Sequence, residues 1–496
     1  MPADPGDIRH LLRRAAFLAA PDAVRDGVAR GYDATVSAIL HPVTGDAGVA
    51  RTPAPSIPTL KRPRAGKHGQ HGAAGAPSAS PSAGQGGSTE QKKAALKEFH
   101  RQLHAQLPPL VAWWVDRMAA ADHAYQEKLT FVWHGHWATS AQKVKYASLM
   151  LRQNDTMRSL GSGSFADLAH AMIRDPAMLV WLDGVDNKKQ APNENLGREF
   201  MEVFTLGHGN YSETDVRQAA RALTGWTVDR RTGKAELRTA DHDDTGKTIL
   251  GHTDTYDDAS LVDLVVRQPA SARFVATSLW QRFAAPGPPP AATLQRMVSA
   301  YGTKYDIAAM MRTLFLDPAF RAPSARNALV KQPTEWLVSA LRAFGLDTST
   351  IKPQQNGGRH KPTGSGATPS AGQPGTGRAV AGPAVAGQPV VGALSRLGQV
   401  PFFPPSVGGW PGGPAWLSTA AVPARLQLAQ RIAAALPDAA RHPLTAGTTT
   451  ARLEALAETF GIDGWSNRTR AVLTDAAARP AELVAVGLTS PEFVVC

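Results

Sequence analysis

Apolar positions three and four residues apart dominate the pattern of this chain. Residues 96–114 carry such a run, it continues through 115–120 and 125–133, and in the last stretch Leu129, Val132 and Trp133 recur at helical spacing. Asp306 stands where it can cap a helix whose Ile307, Met310, Met311 and Leu314 follow at i, i+3, i+4 and i+7. Ser212 and Asp215 have the spacing of a capping box. Asp175-Pro176 begins an apolar run that stops at Asp183-Gly184, and residues 425–436, 451–460 and 467–477 read as three more helices. Residues 226–252 lack this period. There, alternation at 234–238 and 247–250 suggests one short hairpin.

Two stretches break the pattern altogether. Residues 51–93 and 353–391 are rich in Pro, Gly, Ser and Ala and hold few large apolar side chains, so burial cannot offset the entropy of ordering them. They are expected to be disordered insertions. They leave an N-terminal helical part at 1–50, a main helical part at 94–352 and a C-terminal helical part at 392–496. The expected class is therefore mainly α: several helices on a single core, with one small hairpin and two long loops.

Composition narrows the function classes. The formal charge is +12, which invites a nucleic-acid partner. Yet residues 51–93 hold seven basic groups against one acidic, and residues 353–391 hold three against none, so nine of the twelve excess charges lie in the two insertions. A basic stripe on the folded part is not expected, and nucleic-acid binding is disfavoured. The lone cysteine, Cys496, excludes an internal disulfide and a thiolate-rich zinc site, and is expected to be a frayed terminal residue. No run approaches a membrane span, and the first residues lack the pattern of a secretory leader, so a cytoplasmic location is expected. Phosphate loops, nucleophile elbows and dinucleotide fingerprints are not found.

Groups able to do chemistry concentrate between Glu127 and Asp243. In the segment Glu127-Lys-Leu-Thr-Phe-Val-Trp-His134-Gly135-His136-Trp137, Glu127 and His134 would share a helix face. His134 and His136 would point to opposite sides unless the chain unwinds at Gly135. Two neutral imidazoles and a carboxylate suffice to hold a divalent metal ion; the plain alternative is that these histidines satisfy buried backbone groups. The second segment, Asn193-Glu194-Asn195-Leu-Gly-Arg198-Glu199-Phe-Met-Glu202-Val-Phe-Thr-Leu-Gly207-His208, would place Asn195, Glu199 and Glu202 on one face of a helix stopped by Gly207. Such carboxylates serve as paired acids, as metal ligands, or simply as members of a network of Glu194, Arg198, Glu199 and Glu202. Asp241-His242-Asp243 adds one more imidazole in a turn. Trp410, in Val407-Gly408-Gly409-Trp410-Pro411, either lines a pocket or covers the core.

Taken in order, these motifs together with His10-Leu-Leu-Arg13-Arg14-Ala-Ala-Phe17, Ala220-Arg221-Ala-Leu-Thr-Gly-Trp226 and Gly408-Gly409-Trp410-Pro411-Gly412 resemble a bacterial family known as domain of unknown function 1800. The resemblance implies one helical domain over nearly the whole length and supplies no activity. It also implies a paired role with a phosphatase-like partner protein encoded nearby. The residues then point to a metal-assisted hydrolase or oxidoreductase. His134 and His136 would be ligands with Glu199 or Glu202, and Glu127, Glu199, Glu202 or His242 would be acid or base. The alternative is a non-catalytic scaffold or assembly partner.

Overall fold

In a computed structural model, residues 3–41, 45–63, 85–352 and 387–496 are described. The described chain is mainly α-helical, and the expected starts are in place. Ser212 and Asp215 form a reciprocal capping box on the helix Glu213–Ala222. Asp306 accepts from the amide of Ala309 at the head of Ile307–Leu316, and Asp175 from that of Met178 at the head of Pro176–Trp181. Each bond satisfies a donor that the first helical turn cannot pair internally. The C-terminal helices are Ala421–Ala434, Thr449–Thr459 and Asn467–Ala476, followed by Pro480–Thr489 and Pro491–Val494, which the periodicity had not revealed.

The apolar interior resolves into two clusters. One gathers Ile8, Leu11, Trp133, Phe165, Phe204, Leu279 and Phe315. The other gathers Trp114, Trp336, Leu394, Leu428, Leu456 and Phe493, so chain from both sides of residues 353–386 shares one interior. The helix Ala124–His136 lies between them, giving Leu129, Val132 and Trp133 to the first and Phe131 to the second. Trp133 fixes it in place. Its ring is 1% exposed, its Nε1 donates to the Gly161 carbonyl at 2.8 Å, and a Cβ on Gly161 would lie 2.5 Å from the ring. Burying a large apolar side chain of this kind contributes roughly 1.5–3 kcal/mol.

Three expectations are corrected. Instead of one hairpin there are two, each closed locally: Trp226–Asp229 pairs antiparallel with Lys234–Leu237, and Lys247–Ile249 with His252–Asp254. Gly233 and Gly251 supply the left-handed turn conformations, and short turns favour the nearest partner strand. The first insertion is narrower than its composition suggests. Residues 51–63 are irregular but tied down, with Trp113 Nε1 donating to the Thr52 carbonyl and Gln106 Nε2 to that of Pro58, and a helix covers Gln85–Ala105. Residues 64–84 lie outside the described residues, as do 353–386 of the second stretch, while residues 388–391 open the helix Gln388–Leu397. Cys496 is not frayed: it is 7% exposed, and its backbone exchanges two hydrogen bonds with Leu329. Among the described residues no helix is long and apolar enough to cross a membrane.

Candidate functional site: a cavity at the end of the histidine helix

The helix Ala124–His136 runs through Gly135 without unwinding, so its two histidines diverge. On one side everything is closed. Glu127 is 1% exposed and receives Arg117 Nε and Arg158 Nε, each at 2.6 Å, and Trp114 Nε1 at 3.0 Å. Burial would push its carboxyl up, but the Arg158 and Arg117 guanidiniums outweigh that and hold it below the usual carboxylate range. A carboxylate locked by two cations and shut off from solvent is poorly placed to exchange protons with a substrate, unlike the acid or base expected at Glu127.

His134 is fully buried on the same side. The Phe402 amide donates to its Nε2 at 2.9 Å, and the rings of Trp114, Phe402 and Trp410 stand 5.1, 5.3 and 5.4 Å away. Burial pushes its imidazole down to about 3, so it is neutral. With the Nε2 lone pair engaged, the proton sits on Nδ1, which has no hydrogen-bond partner.

His136 faces a different environment. Its Nε2 bonds to the Phe204 carbonyl at 2.8 Å, and since a carbonyl only accepts, Nε2 carries the proton and Nδ1 keeps a free lone pair. Burial pushes this imidazole down to about 4, the Phe204 carbonyl opposes the shift and the Arg282 charge adds to it. The ring borders a cavity of about 380 Å³ whose wall includes Glu202, His208, Phe274, Ser278 and Arg282.

Glu202 reaches this cavity through an irregular helix. Asn195–Glu199 is α-helical, but Phe200–Leu206 widens into a π-helix, stopped by Gly207 at φ 79°. The wider turn breaks the i, i+4, i+7 register expected for Asn195, Glu199 and Glu202. Glu202 lines the cavity and Glu199 does not. Glu199 is half-buried, and burial and the Glu202 charge push its carboxyl up. The Tyr211 hydroxyl donates to Glu202 Oε2, and His208 Nδ1 stands 3.4 Å from Glu202 Oε1.

The loop Gly408-Gly409-Trp410 closes over the helix end. A Cβ on Gly409 would fall 2.3 Å from the Gly135 carbonyl oxygen, and its φ is +77°, so only glycine fits there without strain. This close approach puts Trp410 against His134 and Gly408 on the cavity wall.

The remaining candidates go elsewhere. His242 Nδ1 is fixed on the Thr224 carbonyl at 2.9 Å, and His242 does not line the cavity; its neighbour Asp243 is bound by Arg221. Arg198 pairs with Glu194 and Glu213 at a partly exposed surface, so the expected network includes neither Glu199 nor Glu202. The proposed ligand set His134, His136, Glu199 and Glu202 is thus not gathered: only His136 and Glu202 share a wall. Among the described residues no three His, Cys, Asp or Glu side chains stand in a metal-holding arrangement. Sequence reasoning passed over Arg282, Tyr211 and His208. The one signal for Arg282 was a cation set among Leu279, Trp280 and Phe283 at a helix end.

Three of the motifs whose order along the chain carried the resemblance, those at 127–137, 193–208 and 408–412, contribute to this cavity. The chain belongs to the family described as Protein of unknown function (DUF1800), whose profile matches residues 10–495. No curated protein and no solved structure matches it.

Proposed function

We propose that this protein is a hydrolase whose acid–base group is Glu202, working on a small molecule held in the His136 cavity. The observation that carries the reading is the setting of the Glu202 carboxylate. It is oriented by the Tyr211 hydroxyl, has the His208 imidazole beside it and borders an open space that a second, neutral imidazole also borders. A carboxylate so oriented takes a proton from a water molecule as the water oxygen attacks an ester or amide carbon, and the proton passes through the adjacent His208 to the departing oxygen or nitrogen. The His136 Nδ1 lone pair accepts a hydrogen bond from the substrate or from that water. Acid–base groups are what hydrolysis needs, which favours it over electron transfer. With His134 engaged elsewhere, the reading does not depend on a bound metal.

The test is a panel of small chromogenic esters and amides turned over by the wild type and by Glu202→Gln. Positioned acid–base groups contribute about 10²–10⁴-fold. Turnover that falls by this much in the variant, and persists in the presence of a chelator, supports the reading; turnover equal in the two proteins overturns it.

A second reading, a non-catalytic assembly partner, rests on a different observation. Leu417, Val422 and Leu426 are 49%, 56% and 37% exposed, and the latter two share a face of the helix Ala421–Ala434. An apolar strip of this kind is what a partner covers. Co-purification with the phosphatase-like protein, lost in Val422→Lys, would favour it.

A further inference from the structure

Arg282 lines the cavity and has no counter-ion among the described residues. It lies near the end of the helix Pro269–Phe283, partly buried, and desolvation pushes its guanidinium down. Among the described residues no hydrogen bond or ion pair reaches it; the acidic charge it feels is that of Glu335, whose Oε1 is taken by Lys128 and whose Oε2 accepts the Gln332 amide. A guanidinium that borders open space with no partner keeps its donors available to a ligand. The surroundings leave room beside it. A Cβ built on Gly135 would meet only Arg282 Nη2, at 3.9 Å, and Ser278 lines the same wall one helical turn earlier.

We infer that the Arg282 corner of this cavity binds the oxyanion of a small carboxylate- or phosphate-bearing ligand. The guanidinium offers a planar fork of donors that matches two oxygens of either group. Phe274, Val203 and Leu279 give the rest of the ligand an apolar wall, and Glu202 stands across the space where an adjoining electrophilic carbon would sit. The inference rests on the hydrolase reading only for the second half of that arrangement: the anion would bind at Arg282 whether or not Glu202 does chemistry. It names the substrate class as anionic, and it gives a role to an arginine that no acidic side chain among the described residues neutralises.

Titration with inorganic phosphate, followed by 31P line broadening, with acetate as the competitor, tests it at low ionic strength. Saturable binding of phosphate or displacement by acetate is expected, and which of the two is stronger identifies the headgroup. Arg282→Gln should weaken binding by about tenfold to a hundredfold, the worth of charge-assisted hydrogen bonds. Ser278→Asp offers an internal rival, since a carboxylate four residues before Arg282 on the same helix face pairs with it; it should weaken binding comparably while leaving the guanidinium in place. Glu202→Gln should keep anion binding, so loss of turnover without loss of binding separates the two readings. Absence of saturable binding by either anion, or unchanged affinity in both Arg282→Gln and Ser278→Asp, overturns the inference.

Discussion

Glu127 and His134 sit on one side of the Ala124–His136 helix and His136 on the other, and the two sides have opposite chemistry. On the first, the carboxylate is spent on two guanidiniums and an indole, and the imidazole accepts from a backbone amide while its Nδ1 is shut in without open space beside it. On the second, the imidazole uses one nitrogen for anchorage, keeps the other unbonded, and borders a cavity that is also lined by an oriented carboxylate and a guanidinium with no partner among the described residues. What separates a structural from a functional polar residue here is unspent hydrogen-bonding capacity beside open space. Residue type does not separate them, since both are histidines held neutral by burial.

The comparison breaks most readily at Glu202. Glu202→Gln is expected to lower turnover by about 10²–10⁴-fold with little change in unfolding free energy. Glu127→Ala should do the reverse, because removing one member of a buried ion pair strands the others and costs about 3–5 kcal/mol. Denaturant unfolding would register that loss, while turnover per folded molecule stays unchanged; a Glu127 variant of full stability and low activity would reverse the assignment of the two faces. Gly409→Ala should come next, at about 1–3 kcal/mol for the left-handed backbone, and more if the turn cannot retreat from Gly135. If it retreats, the cavity wall moves with it, and anion affinity should fall along with stability.

The most gradual effect is a slope. His134 has its pKa pushed to about 3 in the folded chain, against roughly 6.5 when unfolded. As pH falls below that unfolded value the unfolded chain takes up a proton that the folded chain refuses. Stability is therefore lost between about pH 6.5 and 3. His134→Gln keeps an acceptor for the Phe402 amide and cannot titrate, so its stability should fall less steeply in that window, by at most about 1.4 kcal/mol per pH unit. Equal slopes would mean that His134 is protonated in the folded protein.

Local signals carried well from sequence to structure. The Ser212–Asp215 box and the Asp175 and Asp306 caps depend only on residues three apart, and each formed. The candidate region was legible for the same reason: titratable residues crowd where helices end. Its wiring was not. That Glu127 would be claimed by Arg158, or His134 by the amide of Phe402, depends on partners 31 and 268 residues away. The signal at Arg282 was faint because an arginine near a helix C-terminus is ordinary; only the folded chain reveals that no acid among the described residues pairs with it.

The segment from Phe200 to Leu206 has a further consequence. An α-helix advances about 100° per residue, and a wider turn advances less, so the azimuth of everything beyond it is reset. Glu202 owes its orientation to this local change of phase. A one-residue deletion just upstream, leaving composition almost untouched, would swing the carboxylate off the cavity, whereas many substitutions on the outer surface of the same segment would not. The aspect of this stretch most exposed to damage is therefore its count of residues, and insertions or deletions there should be tolerated far less well than replacements.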